Sequence, residues 1–359
     1  MHVVSVNQDP GIDPGRKKGA AVHLEAMRTA FSQLGCEVTA IDQPDPLRLQ
    51  ERLRLVARRQ AIDLVYERYS LGSATAARFA RENGIPHALE VNAPLAGEQE
   101  RWRGLAENAR DRAEDAIAFG SAGYIAAVSS EVAAYARSRG AHTGSVFVCP
   151  NGIDTGLFGP AADGRRLPPL PVPEGAFVLG FHGRERPWHG FDMLVAATQT
   201  LLQERLPAHL LVIGEGDFAP LSGLPDGNYT RLPWVAHEEI PALLRHYDAI
   251  PLTYPKDAPC YFSPLKLAEA MACGAVPVVP DLGDLPTIVS HGRNGLVYAA
   301  GQLGALVDAL RSLIKQPSLK SALAAAAAES ALAQGWDRIA LRILDHFGLT
   351  LQRPAESVR

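Results

Sequence analysis

A lysine and a glutamate stand one helical turn apart in the segment SPLKLAEAMACG, residues 263–274. Ser263 is suited to cap a helix that starts at Pro264, and such a helix directs free backbone N–H groups toward an anion. Lys266 falls in the first turn, where the helix dipole disfavours a cation, so it either faces solvent or pairs with a bound phosphate, which we favour. Glu269 either accepts hydrogen bonds from two sugar hydroxyls or pairs with Lys266 on the surface. The segment therefore indicates a site for a phosphorylated sugar.

A second group of cations lies in the sequence FHGRERPWHG, after an apolar strand pattern. Arg184 and Arg186 either stabilise the charge of a departing phosphate or are simply solvated loop residues. Near the amino terminus, Gly15 and Gly19 flank an Arg-Lys-Lys triplet that precedes a helical pattern. Glycine lets the backbone approach a phosphate closely, although the same residues suit an ordinary flexible turn. Both loops are candidates for phosphate contacts.

Polar residues also follow strand patterns in the amino-terminal half. Glu67, Arg68 and Tyr69 end the pattern DLVYERY, either as ligands of a second substrate or as an exposed loop cluster. His23 lies one turn into the first helix and is either a core or surface histidine or another such ligand. Asn92, in LEVNAPL, carries an amide that orients hydroxyls but cannot act as a general base.

The elements that must position these residues follow from the hydrophobic pattern. Twelve short, mostly β-branched runs, from HVVSVN to GLVYA, alternate with helical patterns, which is typical of parallel sheets covered by crossover helices. In such sheets ligands bind beyond the carboxyl ends of the strands. The first helical pattern predicts one apolar stripe, formed by Val22, Ala26, Phe31 and Leu34.

Length and composition favour two domains. The chain has 359 residues, of which 47% are hydrophobic, enough for two cores with a cleft between them. The Pro- and Gly-rich stretch 155–175 is the predicted linker. We therefore predict one α/β domain over residues 1–160 and a second over residues 161–335.

Charge and hydropathy exclude several classes of protein. With 35 Lys and Arg against 39 Asp and Glu, and no block of like charge, neither a nucleic-acid nor an anionic-membrane footprint is evident. The opening residues lack the features of a signal peptide, and no apolar run approaches the roughly 18 residues of a membrane span, so we expect a cytoplasmic protein without an integral membrane segment. The four cysteines have no CxxC spacing and are predicted to be buried thiols. No Asp, Glu or His cluster has the spacing of a metal site.

The segment SPLKLAEAMACGAVPVVPDLGDLPTIVSHGRNGLVY resembles the carboxyl-terminal half of the retaining GT-B glycosyltransferases of the family-4 type, the glycosyl transferases group 1. Further motifs follow in the family's order along essentially the whole chain: GRKKGAAVH, DLVYERYSL, LEVNAPL, AAVSS, VCPNGID, FHGRERPWHGFDML, LLVIGEG and WDRIALRIL. The resemblance implies two Rossmann-like domains, with the acceptor bound by residues 1–160 and the nucleotide-sugar donor by residues 161–335. It also implies that a terminal helix at residues 336–359 completes the first domain.

The resemblance assigns roles residue by residue. Glu269 would hold the ribose hydroxyls, while Arg184, Arg186 and Lys266 would stabilise the diphosphate; these four are the catalytic candidates. The donor-binding candidates are Gly19, Asn92, Gly183, His189, Gly214, Gly216, Val235, Tyr261, Phe262, Ser263, Pro264 and Leu265. The acceptor-binding candidates are His23, Glu67, Arg68 and Tyr69.

Three positions depart from the family pattern. Tyr261 stands where the family has the first of two glutamates with seven residues between them, and this first glutamate usually contacts the donor sugar. His189 occupies the position of a lysine, and Asn92 that of a histidine found in many relatives. Arg186 is the predicted replacement for the missing lysine.

The resemblance implies a retaining transferase that moves a hexose-type sugar from a UDP- or GDP-linked donor to a small-molecule or glycan acceptor. Neither a metal nor a cofactor is expected, because the nucleotide-sugar is itself a substrate, and no nucleic-acid partner is expected. Two alternatives stay open: a nucleotide-sugar epimerase, and a non-catalytic protein that binds nucleotide-sugars or glycans. The three departures favour the second of these alternatives.

Overall fold

The computed structural model describes residues 1–12, 19–160, 169–261 and 263–349. The chain divides into two compact units. Unit 1 comprises Met1–Asn151, Tyr261–Ser263 and Trp336–Arg359, and unit 2 comprises Gly152–Cys260 and Pro264–Gly335. Unit 1 is therefore discontinuous in sequence. The first division between the units falls just before the stretch 155–175, of which residues 161–168 lie outside the described part.

A six-stranded sheet with the order β2-β1-β3-β4-β5-β6 forms the centre of unit 1, and all of its pairings are parallel. The strands are β1 (His2–Asn7), β2 (Glu37–Asp42), β3 (Leu64–Arg68), β4 (His87–Val91), β5 (Tyr124–Ala127) and β6 (Val146–Val148). The helices are α1 (Gly19–Gln33), α2 (Pro46–Arg59), α3 (Thr75–Glu82), α4 (Leu95–Arg103), α5 (Ala109–Ser121), α6 (Ser130–Ser138) and, from the end of the chain, α13 (Trp336–His346).

Unit 2 repeats this architecture with the strand order β12-β11-β10-β7-β8-β9, again entirely parallel. The strands are β7 (Phe177–His182), β8 (Ala208–Ile213), β9 (Tyr229–Leu232), β10 (Ala249–Pro251), β11 (Val276–Pro280) and β12 (Leu296–Tyr298). The helices are α7 (Phe191–Gln203), α8 (Ile240–Leu244), α9 (Leu265–Ala272), α10 (Leu285–Ile288), α11 (Leu303–Lys315) and α12 (Pro317–Leu332).

Both sheets confirm the predicted α/β class with two Rossmann-like units. Each of the twelve predicted strand patterns forms a strand. The strands in the middle of each sheet are covered on both faces, so their residues are buried without alternation, and β7, β8 and β11 are buried along their whole length. The predicted cysteine state is also confirmed, because all four thiols are free and buried.

The prediction of the apolar stripe of α1 is wrong, because the buried side of the helix is rotated around the helix axis relative to the predicted side. Phe31 is buried as expected, but its companions are Leu24 and Met27, which have no exposed surface. The other three predicted members are only partly buried: Val22, Ala26 and Leu34. Small and large apolar residues occupy more than one side of this helix, and the side with the bulkier leucine and methionine faces the core because it removes more apolar area from water.

Helix α13 packs against α1 within unit 1. Its buried side chains include Ile339, Ile343 and Leu344, and the Trp336 ring lies 4.5 Å from the His23 ring of α1. The last described helix of the chain therefore covers the first one.

Gly180 provides a test of packing in the unit 2 core. A Cβ at this position of β7 would lie 2.1 Å from the ring of Tyr247, whose hydroxyl donates a 3.0 Å hydrogen bond to the Phe181 carbonyl. The ring is buried and anchored, so it cannot move aside freely. We expect Gly180→Ala to lower the free energy of unfolding by about 1–3 kcal/mol or more, measured by urea denaturation.

Gly223→Ala is the matched control in the same unit, because nothing lies within 4 Å of its added Cβ. It should change the free energy of unfolding by less than about 0.5 kcal/mol. Equal effects of the two substitutions would contradict this account of the β7 packing.

Candidate functional site

The carboxyl ends of β7 and β8 and the start of α9 bring together the main candidates of unit 2. His182 is the last residue of β7, and the following loop carries Arg184, Arg186 and His189. Lys266 lies in the first turn of α9. The parallel topology brings these distant segments to the same edge of the sheet.

Lys266 and His189 form the closest pair in this group. The Lys266 Nζ lies 3.1 Å from His189 Nε2 and 4.9 Å from the centre of the Phe181 ring. His189 is held in place on two sides, because its Nδ1 accepts a 3.0 Å hydrogen bond from the Arg186 N–H and its carbonyl accepts one of 2.8 Å from the Thr253 hydroxyl. The sequence prediction placed these two residues in one site, and the structure brings them into contact.

The tautomer of His189 determines what this pair can bind. Because Nδ1 accepts the Arg186 N–H, the proton of the neutral ring must sit on Nε2, which faces Lys266. Burial, together with the charges of Lys266 and Arg186, lowers the pKa of His189 to about 3, so the ring is neutral at physiological pH. Two N–H donors therefore point at each other, and an anion oxygen is the group that accepts from both.

The environment of Lys266 also favours a bound anion. Burial lowers the pKa of the Lys266 ammonium to about 8, although Glu269 and Glu185 oppose this shift. A desolvated cation without a direct carboxylate contact gains from a bound phosphate both a counter-charge and a charge-assisted hydrogen bond.

Glu269 lies one turn beyond Lys266 and is bracketed by two histidines. Its Oε2 is 3.2 Å from His182 Nε2, and its Oε1 is 3.4 Å from His237 Nε2. Burial alone would raise the pKa of Glu269, but the hydrogen bonds from the two histidines hold it at about 2. The same hydrogen bond raises the pKa of His237. Glu269 is thus an ionised, oriented carboxylate, and the alternative of a direct surface pair with Lys266 is not what the structure shows.

The loops after β7 and β8 pack closely on each other. A Cβ on Gly214 would lie 2.2 Å from the Gly183 carbonyl oxygen, and a Cβ on Gly216 would lie 2.3 Å from the Cβ of Glu185. Both glycines also have φ values, of 131° and 148°, that side chains rarely adopt. Glycine is therefore required here for loop packing.

The two arginine candidates extend from these loops into solvent. Arg184 is 57% exposed and donates to Glu215 at 2.8 Å, and Arg186 is exposed with its guanidinium 5.9 Å from the Trp188 ring. Val235 is half-buried in the loop after β9, two residues before His237. None of these three contacts Lys266 directly in the described residues.

The segment before α9 differs from its predicted form. Ser263 is not the helix cap: α9 begins at Leu265, Pro264 is the N-cap residue, and the Ser263 hydroxyl instead accepts a 3.0 Å hydrogen bond from the Asn151 N–H. The Asn151 side chain donates a second bond to the Ser263 carbonyl. Ser263 is thus held by unit 1, and its hydroxyl is unavailable to the helix. Phe262 lies outside the described residues.

Tyr261 also makes its contacts within unit 1. Its hydroxyl donates to Glu98 of α4, and its carbonyl accepts a 2.6 Å hydrogen bond from the Ser129 hydroxyl. The position where the family has a glutamate therefore carries a tyrosine that touches a carboxylate from another element.

In unit 1, Glu90 is the centre of a buried polar cluster at the end of β4. The carboxylate is 2% exposed and accepts hydrogen bonds from Tyr66, Arg68 and Asn92. His23 Nε2 lies 3.1 Å from it. The structure therefore brings together three predicted residues, His23, Arg68 and Asn92, around a carboxylate that the sequence interpretation did not name.

Glu67 and Tyr69 lie outside the Glu90 cluster and contact other residues. The alternative that residues 67–69 form an exposed loop cluster is wrong. Glu67 is 1% exposed and lies 2.9 Å from His87 Nε2. The Tyr69 hydroxyl contacts the buried Asp115 at 2.6 Å and Tyr135 at 2.8 Å. These side chains are buried because β3 is an inner strand covered on both faces. Gly19 opens α1, and the preceding candidates at 13–18 lie outside the described residues.

Sequence reasoning missed Glu90, His182 and His237. A signal existed for Glu90 and His182, because each is a charged or titratable residue inside an otherwise apolar strand, where an unpaired group would be costly. His237 gave no such signal, since it lies in a polar loop whose position beside Glu269 depends on tertiary structure.

The described residues contain no group of three or more His, Cys, Asp or Glu side chains suited to hold a metal ion. In the same part of the chain, no helix has the length and apolar character to cross a membrane.

Comparisons with known proteins agree with this architecture. Residues 176–316 match the family model of the glycosyl transferases group 1. A D-inositol 3-phosphate glycosyltransferase of Arthrobacter sp. (strain FB24) is 27% identical over 329 residues, covering 86% of this chain and 76% of the relative. A second enzyme of that name, from Catenulispora acidiphila, is 29% identical over 304 residues, covering 79% of this chain and 71% of the relative.

Two solved structures show the same fold over nearly the whole chain. Anabaena Alr3699/HepE, crystallised with UDP, has a TM-score of 0.70 at 18% identity and covers 98% of this chain and 100% of its own. Sucrose-phosphate synthase from Thermosynechococcus elongatus has a TM-score of 0.70 at 18% identity, covering 97% of this chain and 98% of its own. With two parallel α/β units, relatives that are glycosyltransferases and a match of residues 176–316 to the glycosyl transferases group 1, the chain is a glycosyltransferase with the GT-B fold.

Proposed function

We propose that this glycosyltransferase uses a nucleoside-diphosphate sugar, UDP- or GDP-linked, and transfers its hexose to a hydroxyl of a small polyhydroxylated acceptor with retention of anomeric configuration. Unit 2 binds the donor and unit 1 binds the acceptor. The solved structure of Alr3699/HepE with UDP supports the choice of UDP as the first donor nucleotide to test.

The observation that carries the proposal is the pair of convergent donors at Lys266 and His189. A diphosphate oxygen accepts from both Nζ and Nε2, which relieves the opposition of two N–H groups 3.1 Å apart. Lys266 on α9, rather than the predicted Arg186, thereby supplies the cation next to position 189, where the family has a lysine.

Glu269 supports the nucleoside part of the proposal. An ionised carboxylate one helical turn from a phosphate-binding lysine suits the two hydroxyls of a ribose, which donate to its two oxygens in a bidentate arrangement. His182 and His237 hold the carboxylate in orientation and supply competing donors that the ribose replaces or supplements.

The chemistry requires stabilisation of the leaving diphosphate. The bond between the anomeric carbon and the phosphate oxygen breaks, the acceptor oxygen bonds to that carbon on the same face, and the acceptor proton passes to the departing phosphate. Lys266 stabilises the charge that develops on the diphosphate, and Arg184 and Arg186 reach it from their exposed loop once the donor is bound. Asn92 orients hydroxyls and takes no proton.

The relatives supply the acceptor to test first. Their name specifies D-inositol 3-phosphate, a cyclic polyol phosphate. In unit 1, Glu90 and its neighbours Arg68, His23 and Asn92 combine a carboxylate with N–H donors, which is the chemistry that binds polyol hydroxyls. His23 and Arg68 are therefore kept as proposed acceptor contacts, Glu90 is added to them, and Asn92 is moved to this group from the donor-binding candidates.

Transfer itself is tested by incubating the protein with UDP-glucose or GDP-mannose and an inositol phosphate, and following both nucleotide release and product mass. The expected result is acceptor-dependent nucleotide release with an axial product linkage, read by NMR from the one-bond coupling between the anomeric carbon and its proton. Inversion at the anomeric carbon would contradict the retaining mechanism, and nucleotide release without a glycosylated product would contradict the transfer to a polyol.

Lys266→Met tests the diphosphate site. Loss of a charge-assisted hydrogen bond worth about 1.5–3 kcal/mol should weaken UDP binding roughly ten- to 150-fold, measured by isothermal titration calorimetry. Lys256→Met removes the same charge from an exposed position of unit 2 and should leave the dissociation constant unchanged. Equal affinities of Lys266→Met and the unsubstituted protein would refute the assignment.

The pH dependence of donor binding follows from the lowered pKa of Lys266. The free Lys266 ammonium loses its proton as pH rises through about 8, while His189 stays neutral across this range. Affinity for a UDP-sugar should therefore be constant up to about pH 7, begin to fall as pH approaches about 8 and fall above it by up to about tenfold per pH unit. The Lys266→Met variant should show no such fall, and a flat profile for both proteins would disprove the link.

A further inference from the structure

The solvent-facing side of α2, residues 46–59, is a strongly basic surface. The helix carries five arginines and one glutamate, a formal charge of +4, within a chain whose net charge is −4. The arginines are Arg48, Arg52, Arg54, Arg58 and Arg59. All five are exposed, and none has an ion-pair partner among the described residues.

Two leucines are exposed on the same side of this helix. Leu47 is 73% exposed and Leu55 is 48% exposed, whereas Leu49 and Leu53 face the core of unit 1 with no exposed surface. With 3.6 residues per turn, Leu47 and Leu55 lie about 80° apart around the helix and about 12 Å apart along it. The outward side of α2 is therefore a basic surface that contains two apolar side chains.

The arrangement of the arginines around the leucines is regular. By the helical periodicity, Arg48, Arg52 and Arg59 flank the leucines on one side, Arg54 flanks them on the other, and Arg58 lies between. The backbone is well fixed, because Asp45 caps the helix by accepting a 2.8 Å hydrogen bond from the Arg48 N–H and Pro46 occupies its first position.

We propose that α2 docks the enzyme on the surface of a bilayer that contains anionic phospholipids, with the arginines on the headgroups and Leu47 and Leu55 inserted among the upper acyl carbons. The charge of the helix complements an anionic headgroup layer, and the two leucines require an apolar phase that a nucleic acid does not offer. The near-neutral net charge of the chain did not indicate this surface, because the acidic residues that balance its positive charge lie elsewhere in the chain.

Vesicle co-sedimentation of the intact protein tests the proposal. The protein should bind vesicles of phosphatidylcholine mixed with phosphatidylglycerol, bind phosphatidylcholine alone much more weakly, and dissociate as salt is raised. Arg52→Gln combined with Arg59→Gln should lower the partition coefficient roughly 25-fold, at about fivefold per arginine. Leu47→Ser combined with Leu55→Ser should also lower the partition coefficient. An unchanged melting temperature of these variants is the control that the substitutions at these exposed positions leave the fold intact.

The matched control combines Arg110→Gln with Arg137→Gln, two exposed arginines on α5 and α6 of the same unit. This pair changes the net charge equally and should retain binding. The proposal is overturned if the protein ignores anionic vesicles or if the control pair loses as much binding as the α2 pair. It is also overturned if the serine variants bind vesicles as tightly as the original protein. The same holds if duplex DNA displaces the protein from vesicles and this competition depends on the arginines but not on the leucines.

Discussion

The parallel pairing of both sheets is the constraint on which the functional geometry depends. A parallel strand cannot return directly to its neighbour, so each connection crosses over through a helix and every strand ends at the same edge. In unit 2 this requirement brings the loop after β7, the loop after β8 and the start of α9 to a common position. His189, Glu269 and Lys266 meet there although up to 80 residues separate them.

The two units have opposite electrostatic character at their sheet edges. In unit 2, Lys266 and His189 are donors without a shared acceptor among the residues that the structure describes, and Glu269 already has two histidine donors. In unit 1, the buried Glu90 is surrounded by donors from four side chains. An anionic ligand completes the first arrangement, whereas the second is satisfied internally and offers exchangeable hydrogen bonds. This contrast agrees with the proposed binding of a diphosphate in unit 2 and of polyol hydroxyls in unit 1.

The sequence predicted the elements better than the side-chain partners. All twelve strands were predictable because apolar runs bounded by turn residues are a local property, and the spacing of Lys266 and Glu269 indicated a site because one helical turn is also local. The hydrogen-bond partners of Ser263 and Glu90 were not predictable, because these partners are distant in sequence or lie on a neighbouring strand. The stripe of α1 was misplaced for a related reason: periodicity alone does not say which of two apolar sides of a helix faces the sheet.

The discontinuity of unit 1 has a consequence for the order in which the chain acquires structure. Residues 264–335 are synthesised before Trp336–His346, so unit 2 has its whole sequence available while unit 1 still lacks the helix that covers α1. At ribosomal rates of about 5–20 residues per second, the first helix waits many seconds before Trp336 covers the surface around His23. The amino-terminal half is thus the last part of this enzyme to become complete, although it is the first to be made.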